Sequence, residues 1–426
     1  MSILINILGI VILIGGLYLI SSNKKDVNKK MILKAFILQF ILAFLLVKFP
    51  LGRIALQKVS DAVTNILSYG AEGLSFVFGP LSDAGAPTGM IFGIQVLGNI
   101  IFISALVAAL YYLGVIGFVV KGIGGVIGKA LGTSKVESFV AVANMFLGQT
   151  ESPILVSKYL GKMTESEIML VLISGMGSMS ATVLMGYAGM GIPMEYLLIG
   201  GALVPLGSII VSKLMLPESK KQVSIEEDIN VNSDGSATIA DAEMAMTTAV
   251  IDEVKIDNKG DNANLIAAIS QGASDGVNMA IGIGGSLIAI ISLVAMVNGL
   301  LGIFGLSLEQ ILSYVFAPLG FLMGVPKDQI LTASQLLGSK LVLNEFVAFG
   351  QLGEILSSLD YRTGLMMAIS LCGFANISSM GICITGISVF CPEKKNQLAK
   401  LAFRGMVGGF LVSLLSALVV GLIVAL

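Results

Sequence analysis

The chain has 426 residues, of which 55% are hydrophobic and only 12% are charged, and its mean hydropathy is +0.94. So much apolar side chain excludes a water-soluble globular domain and predicts membrane-spanning helices of about 20 residues each. The net charge of -2, without a basic stripe interleaved with aromatic residues, argues against a nucleic-acid partner, and the absence of histidine excludes Ser-His and Cys-His catalysis and histidine-based zinc motifs.

Apolar segments along the chain predict membrane-spanning helices. The first is followed by the basic run KKDVNKK, so the positive-inside rule places the N-terminus outside and favours a retained span over a cleaved signal peptide. The basic loops KYLGKMTESE and CPEKKNQLAK are then cytoplasmic, and alternation leaves the C-terminus outside as well. The predicted spans cover about residues 3–20, 32–49, 91–120, 166–190, 194–216, 265–303, 362–390 and 400–425.

Two further apolar segments are interrupted by polar residues and predict re-entrant hairpins. Segment 137–160 is broken by GQTESP and has cytoplasmic flanks on both sides, so it must enter and leave the membrane on one face. Segment 328–356 is broken by GSKLVLNEF and enters from the opposite face. Each hairpin holds a glutamate at membrane depth, Glu151 and Glu345, where an ionisable side chain is costly and usually handles a solute or an ion.

The two halves of the chain follow one plan in opposite orientations, which is the sequence outline of an inverted-repeat secondary transporter. Each half begins with an amphipathic helix. The span after each hairpin is dense in Gly, Ser, Thr and Asn, which permits a broken helix whose free backbone groups face a ligand, although close helix packing favours the same residues. Asn376 and Ser379, one helical turn apart, indicate a polar site.

These patterns divide the chain into predicted units. A glycine-rich stretch with Lys121, Lys129 and Lys135 on its polar face predicts a helix in the cytoplasmic interface at the start of the first repeat. A polar, weakly patterned stretch predicts a solvated cytoplasmic linker. The units are residues 1–120 (N-terminal spans, mainly scaffold), 121–216 (first repeat), 217–264 (linker), 265–305 (scaffold span) and 306–426 (second repeat).

Three motifs, GQTESP, LNEFVAF and CGFANISS, resemble in order and spacing the signature segments of the concentrative nucleoside transporter family, and the similarity runs from about residue 85 to the C-terminus. The resemblance implies an all-α polytopic membrane protein with eight transmembrane helices and two opposed re-entrant hairpins in an inverted repeat. It also implies nucleoside import by cation symport across the inner (plasma) membrane, an elevator-like movement of a transport domain against a scaffold, and a homotrimer in the lipid bilayer.

The resemblance also implies a nucleoside site. A carboxylate accepts hydrogen bonds from ribose hydroxyls, and glutamine and threonine both donate and accept, as the edge of a base requires. The matching positions are Gln149, Thr150 and Glu151 for the base with Val183 beside it, and Glu345, Asn376 and Ser379 for the ribose with Phe374 lining the pocket.

A sodium site is implied at the first hairpin and the following span. Asn144 and Ser178 supply the side-chain oxygens that a hard cation needs, and Leu147 and Met179 contribute through backbone carbonyls. Sodium is therefore the expected coupling ion, in preference to protons, and no other cofactor is expected.

Other interpretations remain open at this point. Glu151 and Glu345 are also compatible with a structural ion pair or with side chains that extend to the interface, and Lys340, five residues before Glu345, is a possible partner. A hairpin-type dicarboxylate carrier has a similar outline, but its anionic substrate calls for cationic side chains. An intramembrane enzyme would have to use the two glutamates as acid and base.

Overall fold

The computed structural model describes residues 2–83, 85–149, 152–219 and 262–426, and within these ranges the secondary structure is helical, without strands. Most of the predicted linker therefore lies outside the described residues. The helices of the first half are α1 (Ser2–Leu19), α2 (Lys29–Val47), α3 (Pro50–Phe78), α4 (Phe92–Gln95), α5 (Leu97–Tyr112), α6 (Val115–Leu131), α7 (Lys135–Ala143), α8 (Ser152–Leu155), α9 (Ser157–Leu160), α10 (Glu165–Gly177), α11 (Ala181–Gly189) and α12 (Met194–Met215). Those of the second half are α13 (Leu265–Gly302), α14 (Leu308–Val315), α15 (Ala317–Leu322), α16 (Ile330–Val342), α17 (Glu345–Ile355), α18 (Tyr361–Leu371), α19 (Ile377–Phe390) and α20 (Lys395–Ala425).

Six stretches of the described chain are long and apolar enough to cross a membrane. Helices α1 and α19 are apolar but shorter. Together they fall on the predicted spans, which makes the protein a helical, multi-pass membrane protein. The six stretches are Lys29–Val47, Phe92–Tyr112, Glu165–Gly189, Met194–Met215, Leu265–Gly302 and Pro392–Ala425.

Helix α3 is absent from the predicted elements, which leave a loop between the second and third spans. It runs for 29 residues from Pro50 to Phe78, and the proline occupies the first turn, where its missing N–H costs nothing. Arg53, Lys58 and Asp61 interrupt its apolar residues, so no window resembles a span. Most of its side chains are exposed, and for this reason the helix has no strong sequence signature.

The third predicted span is too long at its C-terminal end. Helix α5 ends at Tyr112, and a turn at Gly114 redirects the chain into α6, which begins at Val115. The glycine-rich amphipathic helix thus starts six residues earlier than predicted and shares an unbroken apolar run with the span before it. Hydropathy is uniform across this apolar run, so the sequence gives no sign of the turn at Gly114.

The two halves of the protein repeat the same order of helices. In the first, α7 and the short α8 and α9 precede the interrupted pair α10 and α11 and then α12. In the second, α16 and α17 precede the interrupted pair α18 and α19 and then α20. Helices α16 and α17 pack against each other and meet at Leu343 and Asn344, which forms a helical hairpin.

The two interrupted pairs cross at their breaks. The N–H of Phe374 donates to the carbonyl of Ser178 (3.1 Å) and thereby joins one break to the other. Gly373 has φ +105°, and a Cβ at this position would lie 2.7 Å from the carbonyl oxygen of Gly177. Only glycine allows this backbone conformation and this close approach. The N–H of Ala181 donates to the carbonyl of Phe146 (2.9 Å), so the segment after α7 is joined to the same crossing.

The remaining long helices pack in two groups. Helix α13 packs along α5, while α1 and α2 pack against α12 and α20. The side chain of Gln39 on α2 donates to the carbonyl of Leu203 (3.4 Å) and to the hydroxyl of Ser416 (3.2 Å). Residues 1–120 therefore contribute helices to both groups.

Candidate functional site

A cavity of about 370 Å³ lies where residues 147–149, the turn between α16 and α17, both helix breaks and α13 meet. This volume falls within the range of about 300–1,000 Å³ that is usual for small-molecule sites. The cavity brings together six of the eight residues predicted to contact a nucleoside. These are Gln149, Val183, Glu345, Phe374, Asn376 and Ser379.

The acidic side of the cavity is formed by Glu345. Its Oε2 accepts a hydrogen bond from the side-chain amide of Asn376 (2.8 Å), and its Oε1 accepts from the hydroxyl of Tyr187 (3.5 Å). Glu345 is 5% exposed and Asn376 is 3% exposed. A carboxylate has about four lone-pair positions, so Glu345 retains acceptor capacity toward a ligand.

The local structure explains how a carboxylate is tolerated here. Glu345 is the first residue of α17, and Asn344 caps that helix by accepting from the N–H of Val347 (2.9 Å). Asn376 caps α19 in the same way and accepts from the N–H of Ser379 (2.9 Å). Two helix N-termini thus end at the cavity, and their positive ends stabilise negative charge.

Another part of the cavity lining is neutral and polar. The side-chain amide of Gln149 donates to the hydroxyl of Ser379 (3.4 Å), and its oxygen accepts from the thiol of Cys383 (3.3 Å). Gly148 has φ +81°, and a Cβ there would lie 3.0 Å from Ser180 and 3.4 Å from the ring of Phe374. Glycine is required at this turn because it permits the left-handed conformation in a narrow space.

Several residues in or next to the cavity escape the sequence analysis. Tyr187 is fully buried, stacks on Phe349 with ring centroids 4.2 Å apart, and directs its hydroxyl at Glu345. In the sequence, the only feature that distinguishes Tyr187 is its position as a tyrosine within a run of small residues. Met279 and Ser286 of α13 also line the cavity, but no polar pattern distinguishes them within a long apolar helix.

The predicted sodium ligands lie next to the cavity in the first repeat. Asn144 is fully buried; its amide donates to the hydroxyl of Ser174 (2.8 Å), and its Oδ1 accepts from the hydroxyl of Ser152 (2.6 Å). Ser178 is also fully buried and donates to the carbonyl of Gly175 (3.0 Å) at the end of α10. Leu147 and Met179 lie on the same two segments and are buried. This set of amide, hydroxyl and carbonyl oxygens fits a hard cation, which prefers oxygen ligands.

Three predicted residues need separate comment. Thr150 and Glu151 lie outside the described residues. Lys340, the possible partner of Glu345, binds other groups, because its ammonium donates to the carbonyls of Ser370 and Cys372 and to the hydroxyl of Ser413.

Helices of membrane-spanning length, two interrupted helices and a buried polar cavity at their crossing define a membrane transporter. Comparison with known proteins agrees. Residues 196–421 match the family model described as "Na+ dependent nucleoside transporter C-terminus", residues 8–81 match the corresponding N-terminus, and residues 93–194 match "Nucleoside recognition". The chain belongs to the family of Na+-dependent nucleoside transporters, and sodium is its coupling ion.

Individual relatives are similar over nearly the whole chain. The nucleoside permease NupC of Helicobacter pylori is 35% identical, over 100% of this chain and 99% of the permease. Human solute carrier family 28 member 3 is 30% identical, over 97% of this chain and 59% of the carrier. The structure of CNTnw in an inward-facing, substrate-bound state has a TM-score of 0.87 and 34% identity, with 100% of this chain and 98% of that one covered. Variants of CNTnw with substitutions are known in outward-facing and intermediate states.

Proposed function

We propose that this protein imports nucleosides with sodium and binds the nucleoside in the cavity between the two hairpins. One observation supports this assignment most strongly: a single cavity is lined both by a carboxylate, that of Glu345 bonded to Asn376, and by a neutral amide, that of Gln149. A nucleoside presents vicinal hydroxyls at one end and an amide-like edge at the other. None of the described residues lining the cavity is basic, which favours this uncharged solute over a dicarboxylate.

The side chains take distinct roles in the proposal. Glu345 accepts a hydrogen bond from a ribose hydroxyl, and Asn376 and Ser379 complete the ribose site. Gln149 faces the edge of the base, with Thr150 and Glu151 next in sequence, while Val183 and Phe374 pack against its rings. The scaffold contributes Met279 and Ser286 from α13.

Sodium and nucleoside share one segment of the protein in this proposal. Asn144 and Leu147 bind the ion and Gln149 binds the base, so both ligands order residues 144–149. A Cβ at Gly175 would lie 3.2 Å from the Cα of Gln149 and 3.7 Å from Oδ1 of Asn144, which shows how closely the end of α10 packs on this segment. The ion therefore prepares the base side of the cavity, and this is the physical basis of coupling.

The proposed architecture has eight transmembrane helices, comprising the six long stretches, α1 and the interrupted α18 and α19, with two opposed re-entrant hairpins. Helices α5 and α13 form the scaffold, while α1, α2 and both repeats move as the transport domain in an elevator-like step. The protein resides in the inner (plasma) membrane as a homotrimer, with both termini outside. It acts as a carrier and not as an enzyme.

Transport by the purified protein tests this proposal. In liposomes, we expect exchange of radiolabelled uridine that depends on sodium and that other nucleosides compete with. Asn144→Ala should abolish the sodium dependence while leaving folding intact. A failure to exchange any nucleoside contradicts the proposed function. An Asn144→Ala variant with unchanged sodium-driven uptake contradicts the proposed ion site.

A further inference from the structure

Lys340 is a fully buried lysine that has no role in the proposed nucleoside site. It lies on α16, the first arm of the second hairpin, and is 0% exposed. It does not line the cavity. A charged ammonium in the interior is costly unless its hydrogen bonds are all provided. The groups around Lys340 must therefore provide these hydrogen bonds.

The ammonium of Lys340 is held by three uncharged oxygens. It donates to the carbonyls of Ser370 (2.7 Å) and Cys372 (2.9 Å) and to the hydroxyl of Ser413 (2.7 Å). It also lies 5.6 Å from the centroid of the Phe410 ring, within the range of a cation–π contact. Both carbonyls belong to the end of α18, where the helix dipole places negative charge. These groups form a cage for a monovalent cation.

The proposed sodium site has the corresponding place in the first repeat. Both sites lie between the first arm of a hairpin and the end of the interrupted helix that follows it. Ser178 is the first residue after α10, and Cys372 is the first residue after α18. The same number of residues separates Glu151 from Glu345 as separates Ser178 from Cys372, and on this spacing Lys340 lies two residues beyond the counterpart of Asn144.

The first hairpin arm offers a neutral amide, that of Asn144, whereas the second offers an ammonium. We propose, on the basis of the proposed function, that the ammonium of Lys340 is a built-in cation at the second repeat's counterpart of the sodium site. It holds the end of α18, and hence Phe374 and Asn376, in a binding-competent position throughout the cycle. The first repeat must take up its cation from solution in every cycle.

Two variants separate charge from hydrogen bonding. Lys340→Ala removes the ammonium and leaves its oxygens around a vacated space, while Lys340→Gln keeps a neutral donor. The matched control is Lys213→Gln, a buried lysine on α12 that is held by Glu137 and the hydroxyl of Ser166 away from both breaks. Thermal unfolding of purified protein is measured in sodium, in methylammonium and in N-methylglucamine at constant ionic strength, together with the sodium dependence of uridine uptake.

We expect Lys340→Ala to be destabilised in N-methylglucamine and to recover in sodium or methylammonium, because either cation enters the vacated cage. This recovery persists in Lys340→Ala combined with Asn144→Ala, although Asn144→Ala alone shows no cation response. The sodium curve of Lys340→Ala steepens from a Hill coefficient of about one to about two, whereas Lys213→Gln keeps the wild-type curve. Lys340→Gln lowers uptake by about tenfold or more at equal expression.

The proposal is overturned if the double variant shows no cation response, or if Lys340→Gln transports within about twofold of wild type. Should Lys340→Ala not fold, the uptake of Lys340→Gln decides alone. An Asn144→Ala variant with a wild-type sodium response refutes the ion site of the proposed function and leaves the result for Lys340 separate.

Discussion

Glu345 is 5% exposed and still has acceptor capacity for a ligand. Asn376 and Tyr187 use part of that capacity, and the N-terminus of α17 provides a favourable field for the negative charge. The carboxylate is thus fixed in orientation before a ligand arrives. Such preorganisation means that a bound hydroxyl gains a charge-assisted hydrogen bond without reorganising the protein.

Glu345→Gln tests this role at the ribose side. The variant keeps the size of the side chain and removes its charge, and a charged hydrogen bond contributes about 1.5–3 kcal/mol. We expect uridine uptake to fall by about tenfold or more, and the preference for uridine over 2′,3′-dideoxyuridine to shrink, as measured by competition in liposomes.

Glu354→Gln is the control for that experiment. Glu354 lies on the same helix, α17, but does not line the nucleoside cavity. It should leave both uptake and hydroxyl preference unchanged. Equal losses in both variants would mean that charge on α17, and not a ligand contact, is what transport requires.

The sequence predicts cavity residues whose polarity is unusual for a membrane protein, and it fails for those defined by tertiary contacts. Glu345 and Asn376 stand out in apolar segments, so local polarity alone points to them. Tyr187 and Met279 are ordinary residues of apolar helices, and only the packing of α11 and α13 brings Tyr187 to Glu345 and Met279 to the cavity.

At the scale of elements, the crossing of the two helix breaks depends on glycine. The dense Gly, Ser and Asn of both spans permit interrupted helices, and the structure shows the interruptions after Gly177 and after Leu371. The pattern does not reveal that the two breaks touch, because this contact joins residues far apart in sequence. Helix α3 is missed for a different reason, since its charges are spread along an exposed helix.

Gly373→Ala should disrupt this crossing. The substitution places a Cβ 2.7 Å from the carbonyl oxygen of Gly177 and disfavours the φ of +105°. We expect a loss of about 2–4 kcal/mol in the free energy of unfolding and a loss of uptake, measured by thermal unfolding and transport of the same preparation.

The matched substitution is Gly381→Ala in α19, where a Cβ meets no atom within 4 Å. Alanine is a better helix former than glycine, so this variant should be as stable as wild type or slightly more so. If Gly373→Ala behaved like Gly381→Ala, the close contact between the breaks would not be needed in the folded protein.

At the scale of the whole molecule, the cavity is lined by α13 of the proposed scaffold and by helices of the proposed transport domain, which slide past each other in an elevator step. Thr182 on α11 reaches Met279 on α13, with the hydroxyl 3.7 Å from the thioether sulfur. Gln39 and Ser416, by contrast, are in contact within the proposed transport domain. The Thr182–Met279 pair therefore tests movement between the proposed transport domain and the proposed scaffold, and the Gln39–Ser416 pair tests a contact that stays within one unit.

A cysteine pair at Thr182 and Met279 should stop transport when oxidised and restore it when reduced, because the crosslink joins the moving unit to the scaffold. The measurement is uridine uptake in a background in which Cys372, Cys383 and Cys391 are replaced and activity is retained. A cysteine pair at Gln39 and Ser416 should be crosslinked without loss of uptake. Transport through a fully crosslinked Thr182–Met279 pair would exclude sliding at this contact.

The hydrogen bond from Phe374 to Ser178 affects how strictly sodium movement is coupled to nucleoside movement. Ser178 offers its hydroxyl to the proposed ion site, while its carbonyl anchors the peptide next to Asn376 on the ribose side. If sodium crosses the membrane without a nucleoside, the sodium gradient is dissipated and no transport is gained. Because Ser178 takes part in both contacts, it links occupancy of the proposed ion site to the geometry of the ribose side. Loosening the link should show itself as uncoupled sodium leakage before nucleoside uptake is lost.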